Sequence, residues 1–477
     1  MTADQIGFSL LMLAILLYAG KWVRMHWAPA QKLFLPASIL GGAIGLLLGP
    51  GVLGAIARAV GGEEAPLAQG AIPESMLSIW SDLPGLLINV VFATLLLGVP
   101  LPNFKRVWGL AGPQLAFGIT LGAGQYVIGI LIAALVLAPF FGVPIMAGAL
   151  IEIGFEGGHG TAAGLQGTFA ELGFADGADL AVGMATVGVV SGIVFGIILI
   201  NWGVRTGKSA VLDKSVASIP HEQRRGLVAH DDRPVSAGSM TVRSESIEPL
   251  TLHFSFIAMA ILVGLGILEA MSWVESVTWG AGEDGIELLS AVPLFPLAMI
   301  GGLVVQQILT RFDKHNLLDR ALMERIQGFA LDALIAAAIA SLSLTVIADH
   351  WAAFVLLGLA GIAWNVGMFL WLAPRIIPKY WFERGIGDIG QSMGVTATGL
   401  ILMKIADPDN KTPAYEAFGY KQMVFEPFFG GGLITGLSLP IIYNFGPWPF
   451  FGVMLALVVL GIGSGLFYFG RLKQEQT

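Results

Sequence analysis

The chain has no cysteine, which excludes disulfides, thiolate metal ligands and thiol nucleophiles. Charge is scarce as well. Its 25 Lys and Arg and 33 Asp and Glu make up 12% of 477 residues, against roughly 25% in a soluble domain. The net charge of −8 and a pI near 5.4 come with no basic patch, so nucleic-acid binding has nothing to rest on. No Gly-x4-Gly-Lys-Ser/Thr loop is present, so the chain is not itself an ATPase, and its seven His show no His-Glu-x-x-His spacing for a metallohydrolase. An intramembrane serine hydrolase using Ser191 or Ser392 is disfavoured because His159 has no evident dyad partner.

What is abundant is apolar sequence. Hydrophobic residues reach 55%, mean hydropathy is +0.78, and glycine supplies 64 positions where a usual share predicts about 33. Long apolar runs recur from end to end, as a polytopic membrane protein requires. The spans expected lie near Ile6–Val23, Leu33–Ile56, Leu83–Val99, Pro113–Leu137 and Leu180–Trp202, then Leu252–Trp273, Ile286–Thr310, Gln327–Ala348, Ala352–Ala373 and Met423–Tyr443. Phe450–Phe469 is expected as an eleventh. The start lacks the basic region of a cleavable signal peptide, so the first run is expected to remain as a helix.

Basic loops alternate with acidic ones. Lys21, Arg24 and Lys32 follow the first span, Glu63, Glu64, Glu74 and Asp82 the second, and Lys105 and Arg106 the third. Positive-inside logic then predicts an outside N-terminus and a cytoplasmic linker at 204–250, largely disordered in composition. Arg471 and Lys473 predict an inside C-terminus by the same rule.

Two stretches break the pattern of plain spans. Residues 142–173 hold Glu152, Glu156 and the run Gly157-Gly158-His159-Gly160-Thr161, and residues 384–406 hold Asp388, Gln391, Ser392, Gly394, Thr396 and Thr398. Clustered glycines and charges inside apolar sequence are tolerated only where irregular backbone is buried or lines a cavity. Both stretches are therefore predicted to be re-entrant hairpins.

The two halves also match in order. Thr161-Ala-Ala-Gly-Leu165 corresponds to Thr396-Ala-Thr-Gly-Leu400, and Pro36 with Gly41-Gly42 to Pro296 with Gly301-Gly302. An odd number of spans separates the copies, which predicts two inverted five-helix repeats, 1–203 and 251–446, followed by an extra helix and tail at 447–477. Paired breaks in inverted repeats point to a secondary transporter's binding site.

Candidate site residues follow. The first hairpin tip offers free backbone groups beside Glu156, His159 and Thr161, suited to a carboxylate or to Na+, a hard cation that prefers oxygen. In the second, Asp388, Gln391, Ser392, Thr396 and Thr398 supply oxygens and donors around Gly390 and Gly394. Glu426 reads as an ion ligand or a boundary charge, Gln125 and Asn365 as ligands or interhelical partners, and Thr94 as a weaker candidate. Asp332 and Lys421 are expected near cytoplasmic helix ends.

These residues resemble the bacterial sodium/glutamate symporters. Gly157-Gly158-His159-Gly160-Thr161 is similar to that family's first re-entrant loop signature, and Gly394-Val-Thr396-Ala-Thr398 to the Gly-x-Thr-x-Thr of the second. Val91-Phe92-Ala93-Thr94, Gln125 with Ile128-Gly129, and Pro-x4-Gly-Gly in the second span are similar too. The resemblance runs from the first span through the tenth. It implies a homodimer in the inner membrane, with a scaffold part and a moving part that carries both hairpins. Residues 157–161 and 394–398 would line the site from opposite sides, with Na+ as coupling ion, no organic cofactor, no enzymatic activity, and L-glutamate or a related small organic anion as substrate. Glu156 departs from the family pattern, in which a small polar residue often precedes Gly-Gly-His. Arg384 is the nearest candidate clamp for a distal carboxylate. A proton-coupled carrier, with Glu156 or Asp388 titrating, and a non-transporting scaffold or sensor of the same fold are the alternatives.

Overall fold

A computed structural model describes residues 3–99, 104–211, 222, 225–228, 236–279, 289, 292–408 and 411–470. All regular structure among these residues is helical. The first helices are α1 Ala3–His26, α2 Ala37–Gly61, α3 Glu74–Thr94 and α4 Phe104–Ile132, which runs on to Phe141. Next come α5 Ile145–Phe155, α6 Gly158–Gly164 and α7 Asp176–Arg205. The later part holds α8 Pro249–Val277, α9 Leu294–Phe312, α10 Arg320–Ala340 and α11 Trp351–Ile376. It ends with α12 Trp381–Ala406, α13 Ala414–Phe425, α14 Leu433–Phe445 and α15 Pro447–Phe469.

Ten helices among the described residues are long and apolar enough to cross a bilayer, and α15 is one of them. The chain is a multi-pass membrane protein. The starts of α3 and α4 lie nine residues before, and that of α9 eight residues after, those expected, and two further spans differ in kind. The eighth is α10, which starts seven residues before Gln327 and ends at Ala340. It carries Arg320, Glu324, Arg325 and Asp332 and is too polar to rank among the ten. The tenth is not continuous: α13 stops at Phe425 and α14 starts at Leu433. Pro427, which cannot donate a helical hydrogen bond, and Gly430 and Gly431, both at positive φ (68° and 106°), end the first segment. Of the central linker, residues 212–221, 223–224 and 229–235 lie outside the described residues, as do Arg471 and Lys473. Described pieces of it are tied down: Ala210 N donates to Glu383 Oε1 at 2.6 Å and Thr241 Oγ1 to the Leu317 carbonyl at 2.6 Å.

The chain divides into two compact units, each drawing on both halves of the sequence. Unit 1 comprises Met1–Pro100, Ala163–Thr168 and Glu222–Val346, and unit 2 comprises Leu101–Ala162, Phe169–His221 and Ile347–Thr477.

Unit 1 is built on α3 and α10. One apolar core joins Ile79 and Trp80 of α3 to Ala333–Ala340 of α10, and a second joins Ala93 to Met323 and Ile326, so the two helices run antiparallel. The flanking helices pack through the matched glycine pairs. A Cβ on Gly41 would lie 2.6 Å from the Leu16 carbonyl oxygen on α1, and one on Gly301 would lie 2.0 Å from that of Ala260 on α8. One on Gly42 would meet Ile339 of α10 at 2.7 Å, and one on Gly302 the Ala93 carbonyl of α3 at 2.5 Å. Each glycine pair thus faces the preceding helix of its own half and the third helix of the other half.

Unit 2 packs α4 against α15, α13 and α11, and α7 against α5 and α12. It is here that helices are interrupted.

Candidate functional site

The first interruption separates α5 from α6 at Glu156 and Gly157, and Gly158 opens α6 at φ +70°. The second lies inside α12, where Gly394 takes φ −146°, ψ 38° and Val395 takes φ 61°, ψ 172°. That last conformation is essentially a glycine one, so a β-branched residue there costs of order 1–3 kcal/mol. Strain of this kind persists where the surroundings enforce it, and here the surroundings include the other break. A Cβ on Gly158 would lie 2.3 Å from Val395 Cγ1. The two glycine-rich breaks therefore touch, and no residue other than glycine fits at 158 without moving the second one.

Around this contact the buried side chains are polar. Gln125 of α4 donates to the Ser392 carbonyl (2.7 Å) and to Asn365 Oδ1 of α11 (3.3 Å), and Asn365 Nδ2 donates to the Gly361 carbonyl (2.9 Å). Both are interhelical partners, and Gln125 Oε1 is left with none. Thr396 donates to Glu426 Oε1 at 2.7 Å and accepts from Gln422 Nε2 at 2.6 Å, while Gln422 also reaches Glu426 at 2.8 Å. Glu426 thus joins the second break. His159 bonds through Nε2 to Thr186 Oγ1 at 2.9 Å, and the buried Thr161 hydroxyl has no partner. Thr398 is buried against the Gly394 turn. Thr94 belongs to unit 1, where its hydroxyl bonds to the Val91 carbonyl at 2.7 Å and its own carbonyl accepts from Arg320 at 2.8 Å.

Two charged residues expected near cytoplasmic helix ends differ: Asp332 lies in the middle of α10, and Lys421, one turn before the end of α13, is 0% exposed. Its ammonium donates to Gln391 Oε1 (2.8 Å) and Gln422 Oε1 (2.9 Å), faces Asp388 Oδ1 at 3.8 Å, and lies 4.0 Å from the centre of the Phe425 ring. Gly118 of α4 leaves room for it, since a Cβ there would lie 2.5 Å from Lys421 Cε. Asp388 accepts in turn from Gln114 Nε2 at 3.1 Å, and Arg384 reaches Gln114 Oε1 at 3.0 Å. Arg384 is thus buried in the cluster rather than set at a boundary. The only hint in the sequence is that Lys421-Gln422 stands one helical turn before Glu426.

Glu152 and Glu156 lie one turn apart and differ completely. Glu152 accepts from Tyr126 Oη (2.5 Å), Gly430 N (2.8 Å) and Thr435 Oγ1 (2.8 Å), so it closes the unexpected break between α13 and α14. Glu156 is 2% exposed and neither of its oxygens has a hydrogen-bond partner. Among the described residues no three His, Asp or Glu side chains are grouped as they would be around a divalent or transition metal.

Gly390-Gln391-Ser392-Met393-Gly394 has the Gly-x-Ser-x-Gly spacing of a hydrolase elbow. An elbow needs a strand-to-helix turn and a histidine on the serine. Here Ser392 is inside a helix, its hydroxyl bonds to Gln391 Oε1 at 3.5 Å, and His159 bonds to Thr186 instead. No family model matches the chain, and no curated protein matches it.

Proposed function

We propose that the chain is a Na+-coupled secondary symporter that imports L-glutamate or a related small organic anion across a bacterial inner membrane. The observation that carries this reading is the contact of two glycine-lined helix breaks, Gly158 against Val395, inside a single unit that also buries Lys421, Arg384, Asp388 and Glu156. A unit that only supported the membrane assembly would have no use for ionisable groups in mid-helix, where they are costly. Broken helices offer free backbone amides and carbonyls to a substrate anion and to Na+. Arg384, the candidate clamp, and Lys421 supply the positive charge an anion needs.

The matched glycine contacts in unit 1 support the inverted-repeat reading, with the two breaks read as re-entrant hairpins. Unit 2, which carries both, is the part read as moving in an elevator-like cycle, and unit 1 the scaffold of a homodimer, with the N-terminus outside. The test is uptake of labelled L-glutamate into proteoliposomes under an inward Na+ gradient, with a matched K+ control. Na+-dependent accumulation is the expected result. Equal uptake in both, or none in either, removes the coupling or the substrate respectively.

A further inference from the structure

We propose that the Glu156 carboxylate is the ligand that holds the coupling Na+. This rests on the reading of unit 2 as a transport site and adds to it the residue through which the ion acts.

Glu152 and Glu156 lie on the same segment and are equally sequestered, yet Glu152 accepts three hydrogen bonds and Glu156 accepts none. An ionised carboxylate in that state is strongly unfavourable unless a positive charge reaches it. The charged groups facing Glu156 are Glu152, Asp388 and Lys421. Two of them repel it. The third is engaged elsewhere, on Gln391, Gln422 and Asp388. The Ser392 hydroxyl is close enough to donate to Glu156, and its own bond to Gln391 Oε1 is a long one at 3.5 Å, so Glu156 has this one neutral hydroxyl within reach where Glu152 holds three donors.

Among the described residues of unit 2 the other buried side-chain atoms without a hydrogen-bond partner are Gln125 Oε1, Thr161 Oγ1, Asp388 Oδ1, which faces Lys421 at 3.8 Å, and Glu383 Oε2, whose other oxygen holds Ser209 and Ala210. All are oxygens, and Thr161 and Asp388 lie on the two interrupted segments. Orphaned nitrogen donors would call for an anion, whereas orphaned oxygens call for a hard cation. Formal charge agrees: Glu152, Glu156, Asp388 and Glu426 outnumber Lys421 and Arg384 by two. With no three-acid grouping among the described residues, the fit is to a monovalent ion bound by one carboxylate together with neutral oxygens. Gly122 of α4 keeps the approach open, since a Cβ there would lie 2.9 Å from Glu156 Oε2.

Thermal unfolding of the purified full-length protein tests this, at fixed pH and ionic strength, with NaCl replacing choline chloride or KCl. A ligand that binds only the folded state raises the unfolding temperature with its concentration. The wild type is expected to be stabilised by Na+ above K+ and choline. Glu156→Gln, which keeps the shape and removes the charge, is expected to unfold at a temperature independent of Na+. Glu156→Asp is expected to move the Na+ midpoint up by about tenfold or more, and it decides the matter should the Gln variant not fold. Glu152→Gln is expected to keep the Na+ response.

A wild-type Na+ midpoint in the Glu156 variants overturns the proposal. So does a wild type that responds equally to K+, or to pH and not to Na+. Because the readout is ion binding, a protein that binds Na+ through Glu156 but carries no glutamate keeps this inference and loses only the proposed substrate.

Discussion

The two units bury polar groups by different rules. Among the described residues of unit 1 the buried ionisable ones are His253 and Glu275, near the two ends of α8, and backbone amides answer both: Asp319 N donates to His253 at 2.8 Å and Leu289 N to Glu275 at 2.8 Å. Around the apolar cores of α3 and α10, its flanking helices pack backbone against backbone at Gly41, Gly301 and Gly302. Unit 2 buries Glu152, Glu156, Arg384, Asp388 and Lys421: Arg384, Asp388 and Lys421 are linked through Gln114, Gln391 and Gln422, Glu152 bonds to Tyr126, Thr435 and the Gly430 amide, and Glu156 has no hydrogen-bond partner. Between helices in a membrane the hydrophobic effect supplies little, so close contact and polar bonds decide what holds together. Unit 1 relies on the first, which is rigid. Unit 2 relies on the second, which a ligand can rearrange.

The sharpest test of that contrast is a pair of substitutions. Gly158→Val is expected to reduce Na+-driven uptake to background while leaving protein in the membrane, because the added side chain strikes Val395 and needs a positive φ. Gly301→Val, which drives a side chain into the Ala260 carbonyl, is expected instead to lower the yield of folded protein. Uptake assays beside quantified membrane yield separate the two, and equal outcomes would erase the distinction between the units.

Next in size is Lys421→Met. Removing one partner of a buried pair leaves Asp388 uncompensated and is expected to cost about 3–5 kcal/mol in denaturant unfolding, much of it recovered by adding Asp388→Asn. The two glutamates come after. Glu152→Gln is expected to destabilise by about 1–3 kcal/mol because it disturbs three hydrogen bonds, whereas Glu156→Gln in Na+-free buffer is expected to cost nothing or to stabilise. The smallest effect belongs to unit 1. Thr94→Val removes a hydroxyl bonded to its own helix and is expected to change stability by about 1 kcal/mol or less, with the Na+ response of unfolding unaltered.

Much of this was legible before the structure. The interruptions at Gly157 and Gly394 follow from glycine clusters with charges inside apolar runs, and the glycine pairs at 41–42 and 301–302 already marked corresponding helices. Lys421 was not legible, since an amphipathic Lys beside an apolar run usually extends to the interface. Only a pocket formed by Gly118, Phe425, Gln391 and Asp388 makes burial tolerable, and those residues come from three separate helices. The break at 426–432 was hidden for a related reason. Its unusual backbone is held by Glu152, almost 280 residues away in the chain.

Composition and local pattern by themselves determined that this chain crosses a membrane many times, and that two of its helices cannot run on, at Gly157 and at Gly394. Those properties depend on the free energy of transferring each segment and on the backbone preferences of glycine and proline, which are local. Which carboxylate is satisfied and which is not was decided by tertiary structure alone. Glu152 and Glu156 are the same residue type, one turn apart, and only the donors brought by α4 and by the break between α13 and α14 make one a structural bridge and leave the other without a partner.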